Sequence, residues 1–333
     1  MSDDNRSHEF ADLRKGFSKT LLILIVIFAG FLFLSFPLGS YAFYNGNLST
    51  SSTEPIIRDI PVFVVGLPME LPVRMTFSDL FAVLWIAHLI LFVISINGPY
   101  LSLWQVIKKL PKGGIARIYD NGVTAMVATF TSVALVTSII ERLQTTVGIP
   151  SGSLPETDPI QTFTGIALAP LTEEIGFRVS TIGLIAFTML LGRYQLSHAV
   201  KAFWHPGRYL SYPSDNRSKS MYTIYAAAII SGLLFGLAHI LFGAGWQVGK
   251  FTTSSIAGIT LGILYIRVGL PAAVLMHWAF NYLRSSYYYF AQAIDGVVVQ
   301  QGMEVLIVVI GAMSLGYVIL TRSTTRSSTS DVS

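Results

Sequence analysis

Residues 20–43 read TLLILIVIFAGFLFLSFPLGSYAF, an uninterrupted apolar run that decides the fold class of this chain. About 20 apolar residues in a helix cross the hydrocarbon core of a bilayer, so this run predicts a membrane-spanning helix. The run is too long for the apolar core of a secretory signal and lacks a clear small-residue cleavage site. We therefore expect it to be retained as a span.

Comparable apolar runs recur along the rest of the chain. Residues 163–191 are longer than one crossing needs and contain Pro170 together with charged side chains, which is typical of a tilted or broken span. The other predicted spans cover residues 77–96, 123–140, 221–242, 252–266, 270–289 and 305–321. The sequence therefore predicts an all-α protein, a polytopic transmembrane helical bundle of about eight spans.

The composition of the 333 residues supports the same class. Hydrophobic residues make up 52% of the chain and charged residues 12%, whereas an ordinary soluble domain has roughly 25% charged residues. The formal net charge is +4, but the basic residues lie in short connecting segments and form no stripe, so no nucleic-acid partner is expected. The absence of cysteine excludes disulfides, thiolate metal ligands and a cysteine nucleophile.

Loop charges predict the orientation, because Lys and Arg concentrate in cytoplasmic loops. Basic residues cluster between spans two and three and between spans four and five, whereas residues 45–79 and 144–161 are rich in Ser, Thr, Pro and Gly. The basic loop residues are Lys108, Lys109, Lys112, Arg117, Arg193, Lys201, Arg208, Arg217 and Lys219. We expect a multi-pass integral membrane protein with both termini in the cytoplasm.

Charged side chains occur within the fourth predicted span, where each is costly unless it faces protein or water. They are Glu173, Glu174 and Arg178. Glu174 and Arg178 are one helical turn apart, the spacing at which opposite charges meet on one face. Glu173 points about 100° away from Glu174 around the helix and so has no obvious partner within its own helix.

Two further spans carry polar side chains at helical spacing. Phe235 and His239 share one face of the fifth span, and His277 and Asn281 share one face of the seventh. A single intramembrane histidine is more often a helix contact than a catalyst. Two histidines, an asparagine and the charged trio on three separate spans favour a functional site within the bilayer.

The combined set supplies the groups that hydrolysis requires: a base for water, a proton donor and donors to the oxyanion. Glu173 is the expected base, His239 could orient the same water, and His277 with Asn281 could donate to the oxyanion. Two histidines and a glutamate are also the ligand types of a catalytic zinc site. No cofactor is favoured, because a zinc ion would need Glu173, His239 and His277 from three separate helices.

The three motifs in this order resemble those of the CPBP intramembrane proteases, the relatives of the CAAX prenyl endopeptidase and of bacteriocin-processing and immunity membrane proteins. They are Glu173-Glu174-x-x-x-Arg178, Phe235-x-x-x-His239 and His277-x-x-x-Asn281. The resemblance covers about residues 163–289. It implies a site within the bilayer in which Glu173 and His239 activate water, while His277 and Asn281 form the oxyanion pocket.

The same resemblance implies supporting positions for Glu174, Arg178 and Phe235. Together with the predicted spans and the composition of the tail, it predicts a division of the chain into three parts. These parts are N-terminal transmembrane helices and loops (1–160), a CPBP-like catalytic core (161–290), and a last transmembrane helix with a disordered cytoplasmic tail (291–333). The implied activity is an endopeptidase acting in the lipid bilayer on a membrane protein or lipidated peptide. One candidate reaction removes the C-terminal tripeptide of a prenylated CAAX protein.

Two other classes of function fit the same residues. A proton-coupled transporter could use Glu173, His239 and His277 as a relay, although the two halves of the chain show no detectable repeat. A non-catalytic binding or immunity protein could keep the polar set for folding. These alternatives differ from the protease in whether substitution of Glu173 abolishes peptide cleavage.

Overall fold

Five helices are long and apolar enough to cross a membrane, within the ranges that a computed structural model of the protein describes. Those ranges are 3–45, 56–57, 59–72, 75–113, 115–153, 158–211, 217–243, 245–293 and 297–330. The five helices span Lys15–Tyr44, Phe77–Asn97, Gly122–Thr146, Ser218–Phe242 and Val298–Val318. The all-α membrane bundle expected from the sequence is confirmed.

The α-helices follow one another along the chain with few long connections. They are α1 (Asp3–Asn45), α2 (Phe77–Asn97), α3 (Leu103–Gly113), α4 (Gly122–Thr146), α5 (Pro159–Glu174), α6 (Leu184–Leu190), α7 (Leu196–Val200), α8 (Pro206–Leu210), α9 (Arg217–Phe242), α10 (Val248–Arg267), α11 (Leu270–Trp278), α12 (Arg284–Ala293) and α13 (Val297–Ser330). Helix α13 thus continues past residue 321, where the last predicted span ends.

Two predicted spans are composite helices. In the fourth, α5 and α6 are joined by a π-helical segment, Ile175–Gly183, here called π1. In the seventh, α11 and α12 are joined by Ala279–Leu283, here called π2. Pro170 lies inside α5, so the irregularity expected in the fourth span is the π1 segment and not a break at the proline.

Four short strands occupy part of the connection between α1 and α2, which the sequence predicts only as a loop. They are β1 (Ile56–Ile57), β2 (Ile60–Val64), β3 (Leu67–Leu71) and β4 (Met75–Thr76). Strands β2 and β3 form an antiparallel hairpin, and β1 pairs with β4. The two turn residues of the hairpin, Val65 and Gly66, have φ values of 51° and 78°, the geometry that matches the twist of paired strands.

The β2–β3 hairpin packs against π1. The Val65 N–H donates to Ser180 Oγ over 2.8 Å, and the Gly66 N–H donates to the Gly176 carbonyl over 3.2 Å. A Cβ atom at Gly176 would lie 2.2 Å from the Cβ of Phe63, so this approach requires glycine. The hairpin and the helix that carries the first motif therefore form one packed unit.

The connecting segments meet in two groups at opposite ends of the bundle. At one end, the Tyr100 hydroxyl lies 3.3 Å from His205 Nε2 and donates to the Arg267 carbonyl over 3.1 Å, which joins three connections. At the other end, the Gly249 N–H donates to the Pro150 carbonyl over 2.9 Å. The loops predicted to be cytoplasmic therefore converge at one end, called the basic end below.

Candidate active site

Small residues bring α9 and α10 close together and thereby position the second motif. A Cβ atom at Gly232 would lie 2.4 Å from the backbone nitrogen of Ile259, so the two helix backbones are almost in contact. Small residues permit such close packing between membrane helices. About one and two turns further along α9, Phe235 and His239 point toward the first and third motifs, and their ring centroids are 4.6 Å apart.

Both π-helical segments overlap the motifs. Segment π1 starts after Glu174 and contains Arg178, and π2 starts after Trp278 and contains Asn281. A π-helical turn displaces the backbone hydrogen bonds of a helix and is frequent at functional sites. In π1 the Phe177 carbonyl accepts hydrogen bonds from the hydroxyl groups of Thr181 and of Ser231 on α9.

Glu174 and Arg178 form a fully buried ion pair. Arg178 Nε lies 3.3 Å from Glu174 Oε2, and both side chains have 0% exposure. Arg178 Nη2 donates to the Gly258 carbonyl over 3.1 Å, and the guanidinium carbon lies 4.5 Å from the centroid of the Phe235 ring. The one-turn contact expected from the sequence is confirmed, and it ties the first motif to α9 and α10.

His277 lies between the two glutamates of the first motif. Its Nδ1 atom is 2.9 Å from Glu174 Oε1, and its Nε2 atom is 3.7 Å from Glu173 Oε2. A carboxylate oxygen accepts hydrogen bonds, so the short contact assigns the donating proton to Nδ1. The 3.7 Å separation exceeds a direct hydrogen bond, so Nε2 and Glu173 Oε2 remain available to a third group.

Glu173 is more accessible than Glu174. Its side chain is 18% exposed, yet its Oε2 atom is buried and has no hydrogen-bond partner among the described residues. A buried carboxylate oxygen without a partner costs free energy unless another group, such as water or substrate, supplies the hydrogen bond. Glu174 Oε2 also lacks a hydrogen bond, but it lies 3.3 Å from Arg178 Nε, whereas Glu173 Oε2 has only His277 Nε2 at 3.7 Å.

His239, His277 and Asn281 line one cavity of about 190 Å³. His239 Nδ1 lies 2.9 Å from the Phe235 carbonyl oxygen, which places a proton on Nδ1 and leaves Nε2 unprotonated. The Phe235 ring contacts both imidazoles, with its centroid 5.7 Å from that of His277. In the described part of the chain, no hydrogen bond joins His239 to Glu173, so the structure brings Glu173 directly to His277 only.

Three charged residues of the cavity wall did not emerge from the sequence analysis: Glu141, Lys250 and Arg284. Arg284 lies within the seventh predicted span, so the criterion that singled out Glu173 also applies to it. Glu141 and Lys250 lie just outside predicted spans, where a charged residue is ordinarily solvated. Only the fold shows that they face the cavity.

A buried histidine on α2 is a second omission. His88 has 0% exposure, and its ring stacks on that of Trp278, the residue after His277, with centroids 3.5 Å apart. Its Nδ1 atom lies 2.7 Å from the Leu84 carbonyl oxygen. His88 lies inside the second predicted span and is therefore another intramembrane histidine that the sequence offered.

The zinc alternative requires Glu173, His239 and His277 to converge on one point. Among the residues that the structure describes, no group of three or more His, Asp or Glu side chains is arranged to hold a metal ion. His277 Nδ1 is engaged by Glu174, and His239 Nδ1 faces its own helix backbone. These side chains do not form a ligand set as they stand.

The apolar helices of the bundle define an integral membrane protein, and a buried polar cluster lies between them. Residues 155–283, a range that includes all three motifs of this chain, match the family model described as type II CAAX prenyl endopeptidase Rce1-like. The match supports a CAAX-type intramembrane protease at the level of the family. The match confirms the family resemblance carried by the motifs. No curated protein and no solved structure matches the chain.

Proposed function

We propose that this protein is an intramembrane endopeptidase in which Glu173 activates the hydrolytic water without a metal ion. The observation that carries the proposal is the unpartnered Oε2 atom of Glu173, buried at 3.7 Å from His277 Nε2. One water can bond to both atoms at once, which would satisfy the carboxylate and place the water against the proposed base.

In the proposed reaction, Glu173 removes a proton from water as the water oxygen attacks the scissile carbonyl carbon. The Asn281 amide and a protonated His277 Nε2 would donate to the oxyanion, and the Nε2 atom of His239 would accept from the water and orient it. Glu173 then returns the proton to the leaving amine when the carbon–nitrogen bond breaks. The reaction therefore consumes only water and the peptide, because the proton taken from water ends on the leaving amine.

Glu174 and Arg178 act as positioning residues in this scheme. Glu174 holds His277 through Nδ1 and is itself held by Arg178, so the imidazole is fixed with Nε2 toward Glu173. A carboxylate behind a histidine sets both its tautomer and its orientation. The Phe235 ring contacts both imidazoles and excludes water from the guanidinium of Arg178.

We propose a membrane-anchored protein or lipidated peptide as the substrate, with both termini of the enzyme in the cytoplasm. Lys250 lies near the start of α10 and Glu141 near the end of α4, so the cavity lies toward the end opposite the basic end. With the basic end in the cytoplasm, the cavity faces the other side of the membrane. Removal of a cytoplasmic CAAX tripeptide therefore requires the inverted orientation.

The decisive experiment compares the parent protein with Glu173→Gln, purified in detergent, on a fluorescence-quenched lipidated peptide. Glutamine keeps the shape of the side chain and removes its basicity, so we expect cleavage to fall to background. Glu70→Gln is a matched control, because Glu70 is exposed on β3. Cleavage by Glu173→Gln at the parent rate would show that Glu173 is not the base, and it would refute this proposal.

A further inference from the structure

Two cationic side chains share the cavity with His239, His277 and Asn281, and the proposed reaction uses neither of them. Lys250 comes from α10 and Arg284 from the start of α12. A cation at the margin of a membrane span is costly unless it has a partner or a ligand. Arg284 pairs with Glu304 and Lys250 contacts the Trp246 ring, and both side chains also face the cavity proposed to hold the substrate.

Arg284 follows Asn281 by three residues in the same continuous helix, so the two side chains lie on neighbouring positions of one face. Arg284 also lines a second, larger cavity of about 1080 Å³ that is bounded by α4 and α13. The two cavities share Ala134, Ser138, Glu141 and Arg284. A substrate peptide that entered through the larger cavity would therefore meet Arg284 where it reached the Asn281 side chain.

The guanidinium of Arg284 retains free donor capacity. Its Nη2 atom donates to Glu304 Oε2 over 2.7 Å, and its Nε atom, which is buried, has no hydrogen-bond partner among the described residues, so a ligand would bind at the exposed end of the group. The side chain of Arg284 is 41% exposed and that of Glu304 is 39% exposed, so a ligand can reach this pair. A guanidinium carries five N–H donors and binds carboxylates in a two-point geometry.

The charges around Arg284 limit which ligand fits. Glu141 lies in the wall of both cavities and Glu304 in that of the larger one, and both repel an anion, whereas Lys250 lies in the wall of the smaller cavity and offsets one of them. The Lys250 ammonium also lies 3.9 Å from the centroid of the Trp246 ring, which keeps it near the cavity. A single carboxylate is therefore accommodated better than a doubly charged group such as a phosphate.

We propose that Arg284 binds the free C-terminal carboxylate of the substrate, an assignment that rests on the proposed endopeptidase function. The short distance along the helix from Asn281 to Arg284 puts the carboxylate only a few residues beyond the scissile bond. Arg284 is in this view the residue that restricts cleavage to a short C-terminal peptide. Glu304 competes with the substrate for the same guanidinium and releases one of its donors on binding.

The test measures binding in the Glu173→Gln background, so that it does not depend on turnover. The probes are a fluorescent farnesylated peptide with a free C-terminal carboxylate and the same peptide with a C-terminal amide, followed by fluorescence anisotropy in detergent. We expect the free acid to bind roughly tenfold more tightly than the amide, which is about 1.4 kcal/mol. Equal binding of both peptides, or binding of neither, would overturn the proposal.

Three further variants locate the effect. Arg284→Gln is expected to abolish the preference for the acid, and Arg284→Lys to restore part of it, because an ammonium keeps the charge without the two-point geometry. Arg142→Gln is the matched control, since Arg142 lines only the larger cavity. Glu304→Gln is expected to tighten binding of the acid alone, and it remains informative if Arg284→Gln does not fold.

The outcomes separate this proposal from the proposed function. If the parent cleaves acid and amide peptides equally and Glu173→Gln cleaves neither, the protease stands and the role of Arg284 is wrong. If Glu173→Gln still cleaves while the acid preference depends on Arg284, the carboxylate site stands and the base is wrong. A preference for the acid that persists in Arg284→Gln also overturns the assignment.

Discussion

His277 Nδ1 lies 2.9 Å from Glu174 Oε1, so the second glutamate of the first motif touches the third motif directly. The other carboxylate oxygen of Glu174 lies 3.3 Å from Arg178. A buried chain of contacts thus runs from Arg178 through Glu174 to His277. It ends at His277 Nε2, which lies 3.7 Å from Glu173 Oε2. The adjacent glutamates therefore differ in role, because one holds the imidazole and the other faces it.

Replacement of Glu174 by Gln is expected to lower kcat about 10- to 100-fold, the usual loss when the partner that orients a histidine is removed. The NH2 group of the glutamine can donate to Nδ1 of His277, so the side chain no longer fixes the proton on Nδ1. The measurement is peptide cleavage by preparations matched for folded protein. An unchanged kcat would mean that the contact with His277 has no part in the reaction.

Replacement of Arg178 by Lys is expected to destabilise the protein, because one ammonium cannot contact Glu174, the Gly258 carbonyl and the Phe235 ring together. Breaking a buried ion pair costs about 3–5 kcal/mol. Thermal unfolding in detergent should show a lower Tm for Arg178→Lys and little change for the exposed control Arg142→Lys. The double variant with Glu174→Gln should lose less than the two single losses combined.

Replacement of Gly232 by Ala is expected to separate α9 from α10 and displace Phe235 and His239. The added Cβ would lie 2.4 Å from the backbone nitrogen of Ile259, which cannot move without the helix. Overpacking of this kind costs about 1–3 kcal/mol. Gly165→Ala on α5 is the matched control, because nothing lies within 4 Å of its added Cβ. Equal Tm values and equal activities would contradict the close contact.

Metal removal tests the assigned chemistry independently of mutation. We expect cleavage to persist after treatment with a strong chelator and after dialysis, because Glu173 activates water directly in the proposed reaction. A soluble zinc protease in the same buffer serves as the control for chelation. Loss of activity on chelation with recovery on addition of zinc would replace the glutamate mechanism by the zinc alternative.

Cysteine labelling tests the orientation, and the absence of native cysteine makes the parent an ideal blank. Arg193→Cys lies in an exposed loop near the basic end, and Val147→Cys lies at the opposite end with the parent side chain 70% exposed. A membrane-impermeant thiol reagent on intact cells should label Val147→Cys only. Labelling of Arg193→Cys alone would show that the protein has the inverted orientation, and it would favour a cytoplasmic CAAX substrate.

Much of the candidate site could be predicted from the sequence, because a bilayer makes intramembrane polar residues conspicuous. Glu173, His239 and His277 emerge in this way, and the one-turn spacing of Glu174 and Arg178 correctly predicted their contact. The same criterion applied to Arg284 and His88, which were overlooked. The β2–β3 hairpin was missed because its strands are short and lie in a segment read as a loop.

The sequence by itself determined that the chain spans a membrane and which polar side chains lie in its spans, because run length and residue type are local properties. Only the tertiary structure decided their partners. The contact of Glu174 with His277 joins residues 103 positions apart, and the shared cavity of Lys250 and Arg284 depends on how four helices pack. Spacing along one helix determines which residues share a face. The packing of the other helices determines which residues that face contacts.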